Sequence, residues 1–244
     1  DARQPPSAEN FPGRVGDYFD EALAPVRALG TTFERVTARM AAGGGQSSDD
    51  AREYDALLAQ MTARDVWSLD ARIDETLAGL GLGMLTGEGR ARHVDTLSPG
   101  QRGRLPLAAV LIAKPEVLVL DEPTNHLDAK AVAFLADTIR AWEGPVLMTS
   151  HDRAFIEETA TAIYDLDVAT WQALATAEGH DLHGVYRTNG AYSAFLEAKQ
   201  KAQRAHADIH AEQQSEKREI RAHRNAAHSI ARGGVRLAEA EGTA

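Results

Sequence analysis

The sequence predicts an α/β protein: a parallel-sheet core, a helical subdomain ahead of it, and one long helix projecting at the C-terminal end. Three observations predict this. Residues 117–120 are an apolar run, Val-Leu-Val-Leu, that ends in two acids, Asp121 and Glu122, and a second run at 146–149 ends just before His151. Short apolar runs of this kind are expected of strands buried on both faces of a parallel sheet. Over residues 15–80 apolar side chains recur at three- and four-residue steps, the period of amphipathic helices. From about residue 191, Ala, Gln, Lys, Arg and Glu dominate, and Ile209, Ile220 and Ile230 are nearly the only large apolar residues. A helix with so thin a stripe does not belong in a core, so it projects.

Composition narrows the classes. At 244 residues with 25% charged side chains the chain is globular, with room for one core or a core and an appendage. It has no cysteine, which excludes disulfides and cysteine metal sites and fits a cytoplasmic location. No apolar run approaches eighteen residues, so membrane insertion is not expected. Charge is uneven: residues 1–196 carry 17 Lys/Arg against 29 Asp/Glu, whereas residues 197–244 carry 9 against 7.

In chain order, residues 1–14 hold Pro5, Pro6, Pro12 and Gly13 and read as an irregular N-terminal segment. Residues 15–96 read as the helical subdomain. Tyr18, Leu23, Val26 and Leu29 begin its apolar stripes, Phe33, Val36 and Met40 continue them, and Tyr54, Leu57, Leu58 and Met61 make another. Leu69, Ile73, Leu77 and Leu80 form the last, with Ser68 or Asp70 as N-cap and Trp67 as a core anchor. The glycine-rich runs at 43–48 and 79–89 read as loops, the first lacking the Lys of a phosphate-binding loop.

Residues 97–190 read as the part that carries chemistry. Ser98 and Gln101 make a capping box with Pro99 at the first helical position, so a helix begins there. Its first turn offers the Ser98 hydroxyl and the backbone N–H groups of Gly100 and Gln101 to an anion, phosphate above all. Pro115 ends that helix, and Asp121 and Glu122 fall at the carboxyl end of the next strand, where open α/β sheets place ligands. Asp121 can hold Mg²⁺, and Glu122 can orient and deprotonate an attacking water. Asp128 caps the next helix, whose Val132, Leu135 and Ile139 face the sheet. If strand 146–149 lies parallel beside the first, His151 reaches the same rim, within range of a γ-phosphate or of the water held by Glu122, and Asp152 caps the helix after it. Residues 163–166 read as a further strand, antiparallel or at an edge; His180 and His183 lack a third ligand for a metal.

Residues 191–244 read as a basic linker helix. Lys217, Arg218, Arg221 and Arg224, with Arg232 and Arg236, face only Glu219 between 217 and 236. Such a stripe suits the phosphate backbone of RNA.

LSPGQ at 97–101, VLVLDEPTNHLD at 117–128 and SHDRAF at 150–155, in that order, resemble the ATPase domain of the ABC superfamily. Asn125-His126 and the long helix point to ABC-F, its soluble, translation-associated branch. The resemblance implies that Ser98, Gly100 and Gln101 belong to the signature loop and that Asp121 and Glu122 end the Walker B strand, Glu122 being catalytic. It implies equally that Asp128 marks the D-loop, that His151 is the switch histidine, and that ATP and Mg²⁺ are the cofactors. Two departures stand out: Pro99 replaces the first Gly of the usual LSGGQ, and no G-x-x-x-x-G-K-[ST] occurs anywhere in the chain. The expectation is a partial ABC-type ATPase domain that begins just past the family's Q-loop, Gln4 having no strand before it. An N-terminal lobe or a second ATPase domain would then complete the ATP sites, and ribosomal RNA and tRNA would be the partners. Three readings stay open: an ABC-F ATPase acting on the ribosome in translation or in antibiotic resistance, a degenerate non-hydrolytic RNA-binding adaptor, and the ATPase subunit of a transporter.

Overall fold

A computed structural model describes residues 4–44, 48–179 and 184–241. The chain divides into two compact units, the first ending at Thr159.

The first unit opens with four helices: α1 (Val15–Ala22), α2 (Ala24–Arg39), α3 (Ser48–Ala63) and α4 (Leu69–Gly79). Tyr18, Phe19, Leu23 and Val26 are buried, as are Leu69, Ile73, Leu77 and Leu80 of the last predicted stripe. The α2–α3 hairpin is held by Arg39, whose guanidinium lies 2.7 Å from Asp50 and 2.5 Å from Glu53. The loop expected at 43–48 lies partly outside the described residues: Met40–Gly44 form a π-helical turn and Ser48 already begins α3.

Two local expectations are corrected. Trp67 is 60% exposed rather than a core anchor. A left-handed Asp65 (φ 45°) starts the short 3-10 turn Val66–Ser68, and Val66 takes the inward position against the core, leaving Trp67 outward in a T-shaped contact with Phe33. Ser68 does stand at the N-cap of α4, but its hydroxyl makes no cap bond; it donates to Asp65 instead.

Helix α5 (Pro99–Ala113) then leads to β1 (Leu118–Asp121), α6 (Ala129–Arg140), β2 (Val146–Thr149) and α7 (Arg153–Thr159). β1 and β2 pair in parallel, with Asp121 opposite Thr149. Leu105, Ala108 and Ile112 of α5 and Leu135 and Ile139 of α6 bury Leu118 and Leu120 from one side. α4 passes close to α6 at Gly79, where a Cβ would sit 2.4 Å from the Phe134 ring.

The sheet departs from expectation on its other side. Val117, Val119 and Leu147 are 51%, 64% and 60% exposed. The strand is thus buried on one face, because among the described residues of this unit helices pack only there.

In the second unit β3 (Ala162–Asp165) pairs antiparallel with β4 (Tyr186–Asn189), with α8 (Val168–Ala177) between them in sequence. Trp171 is fully buried and stacks on Tyr186 at 3.7 Å and 5°, with Phe195, Ala198 and Ala202 around it. Gly190 (φ 100°) makes the turn into α9 (Tyr192–Glu241), a conformation that L side chains rarely adopt. Lys199 fastens the base of α9, its ammonium 2.6 Å from Asp165, 2.8 Å from Asp167 and 5.4 Å above the Trp171 ring. Beyond Ile209, the side chains described on α9 are exposed, as so thin a stripe requires. His180 and His183 lie outside the described residues.

Candidate active site

The site begins with the strand pair. Parallel pairing in register brings the carboxyl ends of β1 and β2 side by side, so the residues just past each strand gather at one rim. Thr149, the last residue of β2, spans the gap. Its hydroxyl donates to Asp121 Oδ1 and accepts the backbone N–H of Glu122 at 3.1 Å, while its carbonyl accepts the same N–H at 3.1 Å.

Glu122 turns the chain sharply. It has φ 46°, and His126 four residues on has φ 62°, left-handed conformations that cost a non-glycine residue about 1–3 kcal/mol each. Backbone bonds from Asn125 N–H to Glu122 O and from Leu127 N–H to Thr124 O brace this turn. Asp128 ends it by accepting Ala131 N–H at 2.9 Å as the N-cap of α6, the role its sequence position predicts.

His151 meets Glu122 from the other strand. Its Nδ1 lies 2.7 Å from Glu122 Oε2, and its backbone N–H reaches the same oxygen at 3.2 Å. Nδ1 donates in this contact whenever the carboxylate is ionised, since an ionised carboxylate only accepts, and the other ring nitrogen is directed to a second partner. Asp152 caps α7 through the N–H groups of Ala154 and Phe155. Asp121, Glu122 and His151 are therefore one cluster, as parallel pairing of their strands requires.

The Ser98 turn keeps the expected capping box. Ser98 Oγ accepts Gln101 N–H at 3.2 Å, and Gln101 Oε1 accepts Ser98 N–H at 2.9 Å. One detail is corrected: the Gln101 N–H, expected to be free for an anion, is consumed by the box. Gly100 N–H and the exposed Ser98 hydroxyl proton are outside it. Arg104 fixes this turn to the end of α4, donating to Gly100 O at 3.0 Å and Leu80 O at 2.8 Å.

An open cleft of about 910 Å³ runs along this rim, lined by Asp121, Glu122, Asn125 and His126 and, from α5, by Arg102 and Arg104. Gln4 lines it too, although no motif in the sequence singles it out. Its place comes from Tyr18, whose hydroxyl donates to Pro6 O at 3.0 Å and holds the segment 4–9 against α1. Thr149 is the other site residue that the motifs pass over, although its position at the end of an apolar run, in register with Asp121, is a usable signal. Lys217, Arg218, Arg221 and Arg224 all lie exposed on α9; Lys217, Arg221 and Arg224 share one stripe at roughly 100° per residue, with Arg218 beside it.

A strand ending in paired acids, a histidine from the parallel neighbour, and a capped Ser-Pro-Gly turn opening a helix define an ATP-binding domain of the ABC type. Comparison with known proteins agrees. A family profile described as ABC transporter matches residues 31–125. The tylosin resistance ATP-binding protein TlrC of Streptomyces fradiae is 36% identical over 187 residues, 76% of this chain and 31% of that protein. The energy-dependent translational throttle protein EttA of Mycobacterium tuberculosis is 29% identical over 81% of the chain and 31% of its own length. Human ATP-binding cassette sub-family F member 3 is 37% identical over 54% of the chain and 18% of its own length. The chain thus carries an ABC-type match and is similar over most of its length to proteins of the ABC-F branch, and it spans under a third of the length of each relative. No helix among the described residues is long and apolar enough to cross a membrane.

Proposed function

We propose that this chain supplies the water-activating half of an ATP site in a protein that hydrolyses ATP and acts on the ribosome. The observation that carries the reading is the bond between Glu122 and His151. A general base must be held at a fixed angle with its carboxylate charged, and two donors from one residue on a single oxygen do that. In this reading Glu122 orients and deprotonates the attacking water, and the second nitrogen of His151 faces the γ-phosphate. Asp121 fits Mg²⁺, a hard ion that takes one or two carboxylates with phosphate and water oxygens. Bound there, Mg²⁺ would neutralise charge on the phosphates. Gln4, on the wall of the same cleft, offers a further oxygen ligand.

The groups that cradle β- and γ-phosphates are to come from another lobe. The chain has no G-x-x-x-x-G-K-[ST], and the exposed apolar face of Val117, Val119 and Leu147 beside the acids is the kind of surface such a lobe would cover. Ser98 and Gly100, with Asp128 in the D-loop, would serve a second ATP site formed against a second ATPase domain. The stripe at Lys217, Arg218, Arg221 and Arg224 supports contact with ribosomal RNA or tRNA, and the names of the TlrC and EttA relatives bring antibiotic resistance and translation within reach of the family. A cytoplasmic location follows from that partner.

Nucleotide binding tests the proposal. The 244-residue chain by itself should hold Mg²⁺-ATP only weakly, with Kd above about 1 mM, or −4 kcal/mol. Joined behind a lobe that carries a phosphate loop, it should bind and hydrolyse ATP. Tight Mg²⁺-dependent binding by the chain alone would contradict the division of labour, and binding without hydrolysis in the joined protein would favour the non-hydrolytic adaptor.

A further inference from the structure

Thr149 makes a contact that neither the motifs nor the comparisons assign. One hydroxyl group joins both acids: it donates its only proton to Asp121 Oδ1 and accepts the N–H of Glu122. A hydroxyl has one donor and two acceptor positions, so both bonds form at once, the N–H of Glu122 being shared between the Thr149 hydroxyl and carbonyl. The strand register brings the two side chains within reach, since Asp121 and Thr149 are direct partners in the β1–β2 pair. The next two residues of the same strand end lead to His151, which holds Glu122. One strand thus carries a holder for each acid, two residues apart.

We infer that Thr149 is a positioning residue that aims the Asp121 carboxylate toward the metal and phosphate side of the cleft; the inference rests on the reading of Asp121 as the Mg²⁺ ligand. A carboxylate with one oxygen tied to a fixed hydroxyl has lost rotation about its last torsion, so its other oxygen points one way. Without that bond the carboxylate samples both orientations, and metal binding must select one. The side-chain bond is separable from the backbone, because the Thr149 carbonyl also accepts Glu122 N–H and keeps the strands paired. Thr149 is exposed, so Thr149→Ala removes the bond without opening a buried cavity, whereas Thr149→Val puts a methyl against Asp121 Oδ1 and turns the carboxylate away.

The test uses Mn²⁺ in place of Mg²⁺. In the 244-residue chain, Mn²⁺ titrated into the ¹⁵N-labelled protein should broaden the amide signals of Asp121 and Glu122. Thr149→Val should raise the concentration for half-broadening about three- to tenfold, and Thr149→Ala by a similar factor, while Thr149→Ser, which restores the hydroxyl, stays within about twofold of the parent. In the protein joined to its phosphate-loop lobe, Thr149→Val should raise the Mg²⁺ needed for half-maximal hydrolysis by a like factor with kcat at saturating Mg²⁺ within about twofold. Parent-like Mn²⁺ and Mg²⁺ dependence in Thr149→Val and Thr149→Ala, with Asp121→Asn abolishing both, would overturn the role of Thr149 and leave that of Asp121 standing. Unchanged metal dependence in Asp121→Asn would overturn the assignment of Asp121 itself.

Discussion

His151 reaches Glu122 twice, through Nδ1 at 2.7 Å and through its backbone N–H at 3.2 Å, both to Oε2. Of the two bonds only the first depends on the side chain. His151→Ala should therefore leave the strand ends and the backbone bond in place while removing the ring bond that fixes the carboxylate's angle, together with the second ring nitrogen. The expected result is a fall in ATP hydrolysis of roughly 10²-fold, within the range of a positioned acid–base group, with ATP affinity little changed. Paired equilibrium binding and steady-state turnover check it, and a parallel loss of affinity would place His151 in binding instead.

Ser98 has a structural role that can be separated from any phosphate contact. Ser98→Ala removes the acceptor for Gln101 N–H and should destabilise the first unit by about 1 kcal/mol, whereas Ser98→Gly should cost only a few tenths. Urea unfolding followed in the first unit reads both, with the slope expected to stay constant. Equal losses for Ala and Gly would mean that the cap is not the cause.

At the base of α9, hydrogen bonds from Lys199 and then Thr170 hold Asp167 down to a pKa of about 2. Asp165 is lowered as well: burial pushes it up, but the bond from Lys199 and its neighbours outweighs that. A depressed folded-state pKa means that stability is present above the unfolded value and is lost as pH falls through the folded one. Asp167→Asn should therefore be less stable than the parent above about pH 4, the unfolded Asp value. The two should converge as pH falls toward about 2. Thermal melts of the second unit across this window read the difference, and a constant gap at every pH would remove Asp167 from the acid limb.

The stripe on α9 makes a salt-dependent prediction. Replacing Arg218, Arg221 and Arg224 by Ala should weaken ribosome co-sedimentation and lower the log–log salt slope by roughly one for each phosphate no longer neutralised. Unchanged co-sedimentation would make this a solvated face.

Much of the site is legible in the sequence because it depends on strand ends. Asp121, Glu122 and His151 need only parallel pairing to meet, and the caps at Ser98, Asp128 and Asp152 need only the residues immediately after them. What the sequence hides depends on partners far along the chain. Trp171 stacks on Tyr186 and under Lys199, fifteen and twenty-eight residues away. Gln4 reaches the cleft because Tyr18 holds Pro6, not through any pattern of its own. Trp67 misleads because size favours burial, yet a left-handed Asp65 gives the inward place to Val66. The two-sided burial expected of Val117 and Val119 fails for a related reason: an apolar run shows that a face can be covered, but not what covers it.

The central claim is that Glu122 activates water at a site whose phosphate loop lies on another lobe. It is tested most directly by Glu122→Gln in the joined protein, with hydrolysis and retention of ATP measured together. The amide keeps the shape of the side chain but cannot take a proton, so turnover should fall at least about 10²-fold while ATP stays bound. Hydrolysis at the parent rate, or loss of ATP binding along with turnover, would contradict it.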